Sequence, residues 1–260
     1  MAEVLIVESP QAAGALVADH IASRVADEPA FTLGVATGST PLPVYRALAG
    51  HAADGVDFSR VSAFALDEYV GIDVAHPESY HSVIAREVTE PLGLDPALVH
   101  VPDGTGSDVA TAGARYEEAL TSHGGVDLQL LGIGTDGHIA FNEPGSSFGS
   151  LTRVKTLTEQ TRLDNARFFD SLDEVPIHCV TQGLGTILRA RHLVLLAFGS
   201  GKAEALAASV EGPVSAGMPG SAIQLHPHVT VVVDEAAASA LAHADYYRYA
   251  QAHKPAWQHL

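Results

Sequence analysis

A chain of 260 residues that is 47% hydrophobic and 17% charged holds ample apolar material for a substantial core, which excludes a disordered or fibrous protein. Its 14 Lys and Arg stand against 31 Asp and Glu, a formal net charge of −17, so neither nucleic acid nor a membrane is expected as a partner, and any anionic ligand must be held by a local device. A single cysteine, Cys179, excludes an intramolecular disulfide and reads as a small buried hydrophobe; with no basic leader and no apolar run near the ~18–20 residues of a membrane span, a cytoplasmic protein is expected.

Short β-branched runs ending in Gly, Asp, Ser or Thr predict strands over 4–7, 31–36, 61–66, 126–133, 193–198 and 229–233. Helical periodicity fills the intervals, over 11–26, 42–53, 79–88, 107–123, 201–210 and 234–249. This alternation predicts right-handed crossovers and an α/β fold: a single domain over 1–260 with a doubly wound, mostly parallel sheet and helices on both faces. Only 145–180 breaks the rhythm; carrying Arg153, Lys155, Arg162 and Arg167, it reads either as a solvated loop or as a mobile lid over a site.

In such sheets ligands bind beyond the carboxyl ends of the strands, and four of those ends are informative. In Gly34-Val35-Ala36-Thr37-Gly38-Ser39-Thr40-Pro41 a strand runs into a Gly and hydroxyl turn, with Pro41 placed to start a helix. Free amides and the helix dipole would face a phosphate there, although an ordinary capped turn has the same composition. Without the Lys of a Walker loop, a nucleotide triphosphate is not indicated. Phe64-Ala65-Leu66-Asp67-Glu68-Tyr69 delivers two carboxylates at a strand end. Alternation turns only one of them toward a given pocket, and Asp67, nearer the strand, is the candidate base.

In Leu131-Gly132-Ile133-Gly134-Thr135-Asp136-Gly137-His138-Ile139-Ala140-Phe141-Asn142-Glu143-Pro144 the glycines formally satisfy G-x-G-x-x-G. A dinucleotide site is rejected, since Pro144 and Gly145 follow where the fingerprint needs a helix. Asp136, His138 and Glu143 instead gather two carboxylates around an imidazole, suited to proton transfer near neutral pH. The same three could ligate a divalent ion, but one His, no Cys in the stretch and no recognised spacing argue against it, and no metal is expected. Phe198-Gly199-Ser200-Gly201-Lys202 places a Lys where the helix dipole disfavours one, which a bound phosphate would explain.

Taken together, the T-G-S-T-P loop, L-D-E-Y-V-G with H-P-E-S-Y downstream, G-I-G-T-D-G-H-I-A-F-N-E-P, Ala166-Arg167-Phe168-Phe169-Asp170, the G-S-G-K turn and Leu225-His226-Pro227 resemble the glucosamine-6-phosphate deaminase (glucosamine-6-phosphate isomerase) family essentially end to end. The resemblance implies a sheet of modified Rossmann type, conversion of D-glucosamine 6-phosphate and water to D-fructose 6-phosphate and ammonia, an amino sugar phosphate as partner, and no cofactor. It implies that His138, oriented by Asp136 and Glu143, promotes ring opening and that Asp67 carries a proton between carbons 2 and 1. Gly38, Ser39, Thr40, Arg167 and Lys202 would hold the phosphate. Some members are homo-oligomers, hexamers or trimers, in which N-acetylglucosamine 6-phosphate activates at a second site; Ser146, Arg153 and Lys155 match positions used there. Residues 242–260 fit the family pattern poorly.

Three other readings share the fold. A 6-phosphogluconolactonase typically continues S-L-F-P where Asn142-Glu143-Pro144 stands here. A galactosamine-6-phosphate deaminase would differ in pocket geometry alone. A sugar-phosphate sensor of a transcription regulator carries a DNA-binding module before the first strand and does not need the full set Asp67, Asp136, His138 and Glu143.

Overall fold

The structure, a computed structural model, describes residues 2–106, 108–255, 258 and 260. Its strands are β1 (Glu3–Val7), β2 (Thr32–Val35), β3 (Ser62–Ala65), β4 (Asp67–Tyr69), β5 (Val99–His100), β6 (Leu128–Leu131), β7 (Arg153–Thr156), β8 (His178–Thr181), β9 (His192–Ala197) and β10 (Val229–Asp234). The helices are α1 (Pro10–Asp27), α2 (Leu42–Ala53), α3 (Tyr80–Ile84), α4 (Glu90–Leu92), α5 (Val109–Ser122), α6 (Glu159–Asn165), α7 (Leu184–Ile187), α8 (Ala203–Val210) and α9 (Ala244–Ala252), with a π turn over Ala85–Thr89 joining α3 to α4. Among the described residues no helix is long and apolar enough to cross a membrane.

Seven strands form one sheet in the order β1-β10-β9-β6-β2-β3-β5, parallel at every pairing. Its strands bury both faces, and the period of two divides their side chains between two cores. Leu193, Leu195, Val231 and Val233 face α5, α7 and α8, whereas Val194, Leu196 and Val232 face α1 and α2. On α1, Ala13, Val17, Ile21 and Val25 recur at every fourth position as its buried stripe, and the Ser9 side chain caps its start by accepting from the Ala12 amide. The doubly wound α/β expectation is met. From β2 the chain winds outward through β3 and β5, then returns to β6 and winds the other way, which places the switch point between β2 and β6.

A second, antiparallel sheet has the order β4-β8-β7. It corrects the reading of 145–180 as simply irregular, because that segment supplies β7, α6 and the start of β8. Three-residue β4, with the sequence Asp-Glu-Tyr, and polar β7, Arg-Val-Lys-Thr, lack the apolar runs that mark a buried strand. The two sheets are joined through one residue. Leu66 donates its amide to Val35 O of the main sheet (3.2 Å) and accepts at its carbonyl from the Gln182 amide beyond β8 (2.8 Å). Gln182, 1% exposed, also donates from Nε2 to Ala65 O (3.0 Å) and accepts at its own carbonyl from Asn142 Nδ2 (2.8 Å).

Two predicted helices end differently. The first residue expected in 107–123, Ser107, lies outside the described residues, and α5 begins at Val109. The helix expected over 234–249 is divided: Asp234 closes β10, a 3-10 turn covers Ala237–Ala240, and α9 starts only at Ala244. The alanine-rich stretch favours helix by propensity, but the Asp234 carboxylate accepts from Gly199 N (3.0 Å) and Ala237 N (2.8 Å), tying the chain to the G-S-G-K turn instead.

Replacing Gln182 by Ala leaves Ala65 O without that buried donor, and is expected to lower unfolding free energy by about 1–3 kcal/mol. Urea denaturation of the two proteins in parallel measures it.

Candidate active site

The loops after β2, β6 and β9, together with Leu66 and β4 beyond β3, open at the switch point onto one cavity of about 710 Å³. Gly38, Ser39, Thr40, Asp67, His138, Arg167 and Lys202 all line it. Asp136 and Glu143 stand behind His138 rather than on the wall.

One end of the cavity gathers a glycine turn, the start of α2 and two cationic side chains. Gly38 has φ +84°, a left-handed conformation that glycine adopts without strain, and turns the chain from β2 toward α2. No side chain caps α2, so the positive end of its dipole faces the cavity uncompensated by a capping group. Pro41 sits one residue earlier than expected, as the N-cap: it is already helical at φ −80°, and its carbonyl accepts from Val44 N and Tyr45 N. Lys202 ends the 3-10 turn before α8, and Arg167, its guanidinium 4.7 Å from the Phe168 ring centroid, follows α6. Desolvation draws the Lys202 ammonium below its ordinary pKa and Arg167 adds repulsion, while Asp164 and Asp136 oppose the shift. A desolvated cation beside another cation is stabilised by an arriving dianion.

The other end carries Asp67 and His138. Asp67 is 5% exposed, and Thr181 Oγ1 donates to its Oδ2 at 3.5 Å. Burial, with the neighbouring Glu68 charge, pushes the Asp67 carboxyl up to about 7, against the opposing influence of His138. His138 Nδ1 lies 2.7 Å from Asp136 Oδ1 and 3.7 Å from Glu143 Oε2, which leaves Nε2 as the ring nitrogen available to a ligand. Desolvation of Asp136 is outweighed by its hydrogen bond with, and the charge of, His138, which hold it down to about 2. The second carboxylate is clamped from behind: Glu143 Oε1 accepts from Thr158 N (3.1 Å), Thr158 Oγ1 (3.2 Å) and Thr161 Oγ1 (2.7 Å). Gly134 permits this packing, since a Cβ there would collide with the imidazole.

The donor atoms of Asp136, His138 and Glu143 lie within 4.8 Å of one another, close enough to hold an ion. The 2.7 Å Asp136–His138 contact has the length of a charge-assisted hydrogen bond. It is shorter than the roughly 3.4 Å separating tetrahedral ligands about 2.1 Å from zinc.

Several neighbours of these groups are not singled out by the sequence as site residues. Thr158 and Thr161 lie at the start of α6, and Thr181 sits on a strand that sequence reading passed over. Tyr69, Tyr80, Phe141 and Phe169 form an aromatic wall in which the Tyr69 ring centroid lies 4.9 Å from that of Tyr80 and 5.7 Å from those of Phe141 and Phe169. Tyr80 belongs to the H-P-E-S-Y stretch, whose final aromatic was the available clue. Cys179 is fully buried in the core beneath this wall, as a small hydrophobe. Ser146, Arg153 and Lys155 do not line the cavity. Ser146 is buried and donates from Oγ to Glu143 O (2.7 Å), Arg153 Nη2 approaches Ser146 Oγ at 3.5 Å, and Lys155 lies two residues farther along β7.

The chain matches the model of the family described as glucosamine-6-phosphate isomerases/6-phosphogluconolactonase over residues 7–232. A glucosamine-6-phosphate deaminase of Rhodococcus opacus (strain B4) is 62% identical over 257 residues, 98% of this chain and 99% of that protein. The solved structure of a monomeric glucosamine-6-phosphate deaminase superposes with a TM-score of 0.89 at 40% identity, covering 92% of this chain and 99% of that one. The 6-phosphogluconolactonase from Trypanosoma cruzi shares the fold at 19% identity, with a TM-score of 0.74 over 93% of this chain and 97% of that one.

A carboxyl raised from 3.8 to about 7 destabilises the folded state once the unfolded chain would ionise it. Asp67→Asn is therefore expected to leave stability unchanged below about pH 4 and to raise it progressively up to about pH 7, by at most about 4 kcal/mol. Thermal unfolding of both proteins between pH 4 and 8 reads the difference.

Proposed function

Since the chain belongs to the family of glucosamine-6-phosphate isomerases and 6-phosphogluconolactonases, we propose that its cavity converts D-glucosamine 6-phosphate and water to D-fructose 6-phosphate and ammonia. The observation that carries this reading is the pairing, in one cavity, of a buried carboxyl held near neutrality with an imidazole backed by two carboxylates, opposite a cationic anion cradle. A base adjusted to about 7 suits abstraction of a proton next to a carbonyl at physiological pH.

The phosphate binds the amides of Gly38, Ser39 and Thr40 and the side chains of Lys202 and Arg167, which orients the sugar toward Asp67. His138, held through Nδ1, transfers a proton at the ring oxygen and opens the hemiacetal. The Asp67 carboxylate then removes the proton on carbon 2, leaving an enediol-like species with nitrogen on carbon 2, and returns it to carbon 1. Carbon 2 is then an imine, and water adds to it and expels ammonia, leaving the ketose. Identity of about 62% to a deaminase, against 19% to a lactonase, supports this reaction over lactone hydrolysis, which requires no proton transfer between carbons.

Ammonia release coupled to fructose 6-phosphate detection tests the reading, with chelator present throughout. Turnover of glucosamine 6-phosphate is expected to survive chelation, to rise as the pH passes through about 7, and to fall about 10²–10⁴-fold in Asp67→Asn. Lys202→Ala is expected chiefly to raise KM, by about 10-fold or more. Silence on the amino sugar with hydrolysis of a phosphogluconolactone would overturn it.

Assembly into a homo-oligomer, hexamer or trimer, with Ser146, Arg153 and Lys155 as a second anion site for N-acetylglucosamine 6-phosphate, is the further part of this reading. Sedimentation and rate curves with and without that effector measure it. A particle of one chain with hyperbolic, unmoved kinetics would instead align this protein with its 40%-identical relative, described as monomeric.

A further inference from the structure

Glu68, the carboxylate next to Asp67, has no part in the mechanism above, yet it is 1% exposed. The alternation of β4 turns it away from the cavity and toward the start of α3. Its Oε1 accepts from Tyr69 N (2.8 Å) and Tyr80 N (3.0 Å), and its Oε2 accepts from His81 N (3.1 Å) and lies 2.9 Å from His81 Nδ1. Three amides and an imidazole around one buried carboxylate are a site built for a charge.

Capping alone does not require that charge. The Ser79 side chain already caps α3 by accepting from Ser82 N at 3.1 Å, so Glu68 is an additional anchor on the same turn. What it anchors is Tyr80, which lines the cavity together with Thr37 of the turn after β2 and whose ring centroid lies 4.9 Å from that of Tyr69. One carboxylate thus connects the strand that carries Asp67 to the loop that faces the phosphate. The opposite side is closed by backbone, since a Cβ on Gly104 would meet Tyr69 O and come within 3.3 Å of Glu68 Cγ. Glu68 cannot relax away from Asp67 in that direction.

We infer that Glu68 is a positioning residue for the proposed proton transfer: clamped by α3, it fixes Asp67 and Tyr80 relative to one another and sets a carboxylate beside the base. The inference rests on Asp67 being the base. Glu68 is the like charge beside Asp67, His138 the opposing group across the cavity, and Cys179 and the hydroxyls of Tyr69, Tyr80 and Tyr116 complete the titratable surroundings. His81, 35% exposed at its side chain, is the imidazole that offsets Glu68 when protonated.

The test is the pH–rate profile of ammonia release by the full chain and two variants, with thermal unfolding as the check on folding. Glu68→Gln keeps the shape and removes the charge, so Asp67 ionises more easily and is a weaker base. Its acid limb is expected to move down by about one pH unit, with kcat reduced about 3- to 10-fold and KM changed less than about 3-fold. His81→Gln removes the offsetting imidazole at a partly exposed position and is expected to move the limb upward. Opposite displacements are not produced by structural damage, and His81→Gln decides the matter if Glu68→Gln does not fold. Limbs that coincide with the unaltered protein's, while Asp67→Asn is inactive, overturn this inference alone. Absence of turnover in the unaltered protein, or full turnover in Asp67→Asn, overturns the functional reading and this inference with it.

Discussion

The site depends on the chain leaving one sheet and entering another across a single residue. Leu66 is bonded on one side to β2 and on the other to Gln182, so β3 ends and β4 begins with no loop between them. A carboxylate on a flexible connection at a strand end would swing into water, where it is fully ionised. Here Asp67 is the first residue of a strand paired with Thr181, and its side chain has no freedom to escape burial. Gln182 also accepts from Asn142 in the loop that carries His138, so the same joint sets the distance between the two acid–base groups.

Environment, and not residue type, differentiates the four carboxylates of the site. Asp67 has one hydroxyl donor and a like charge beside it, and rises to about 7. Asp136, only half withdrawn from water and hydrogen-bonded to His138, falls to about 2. Glu143, through Oε1, and Glu68, through both oxygens, are each clamped by donors from the start of a short helix, α6 and α3. An acid–base site needs such a spread, with one group poised to exchange a proton and others fixed in charge to orient it.

The net charge of −17 would repel a sugar phosphate at long range. In the proposed function the anion end of the cavity offsets this locally, by combining the start of α2 with Lys202 and Arg167 where water is partly excluded and each charge is weakly screened. Asp234 holds the Gly199 amide from behind, so the turn that presents Lys202 is braced by a residue of the neighbouring strand.

Sequence alone determined the parts in which short-range pattern and burial agree. Six strands of the parallel sheet are legible because runs such as Leu-Val-Leu-Leu-Ala are buried on both faces, and the strand ends carrying Gly38, Asp67, His138 and Lys202 follow from the rule that such sheets open at their carboxyl ends. Alternation also separated Asp67 from Glu68 correctly. Only tertiary structure decided the second sheet, because β4 is stabilised by pairing with β8, far along the chain at Thr181, Val180 and Cys179, and β7 by pairing with β8, both over a small aromatic core and neither by an apolar run of its own. It likewise decided that Thr158 and Thr161 hold Glu143 and that Thr181 holds Asp67, and that an alanine-rich stretch after Asp234 is divided instead of continuously helical. The physical reason is common to these cases: a hydrogen bond made across the fold outweighs a local preference worth a few tenths of a kcal/mol per residue, roughly.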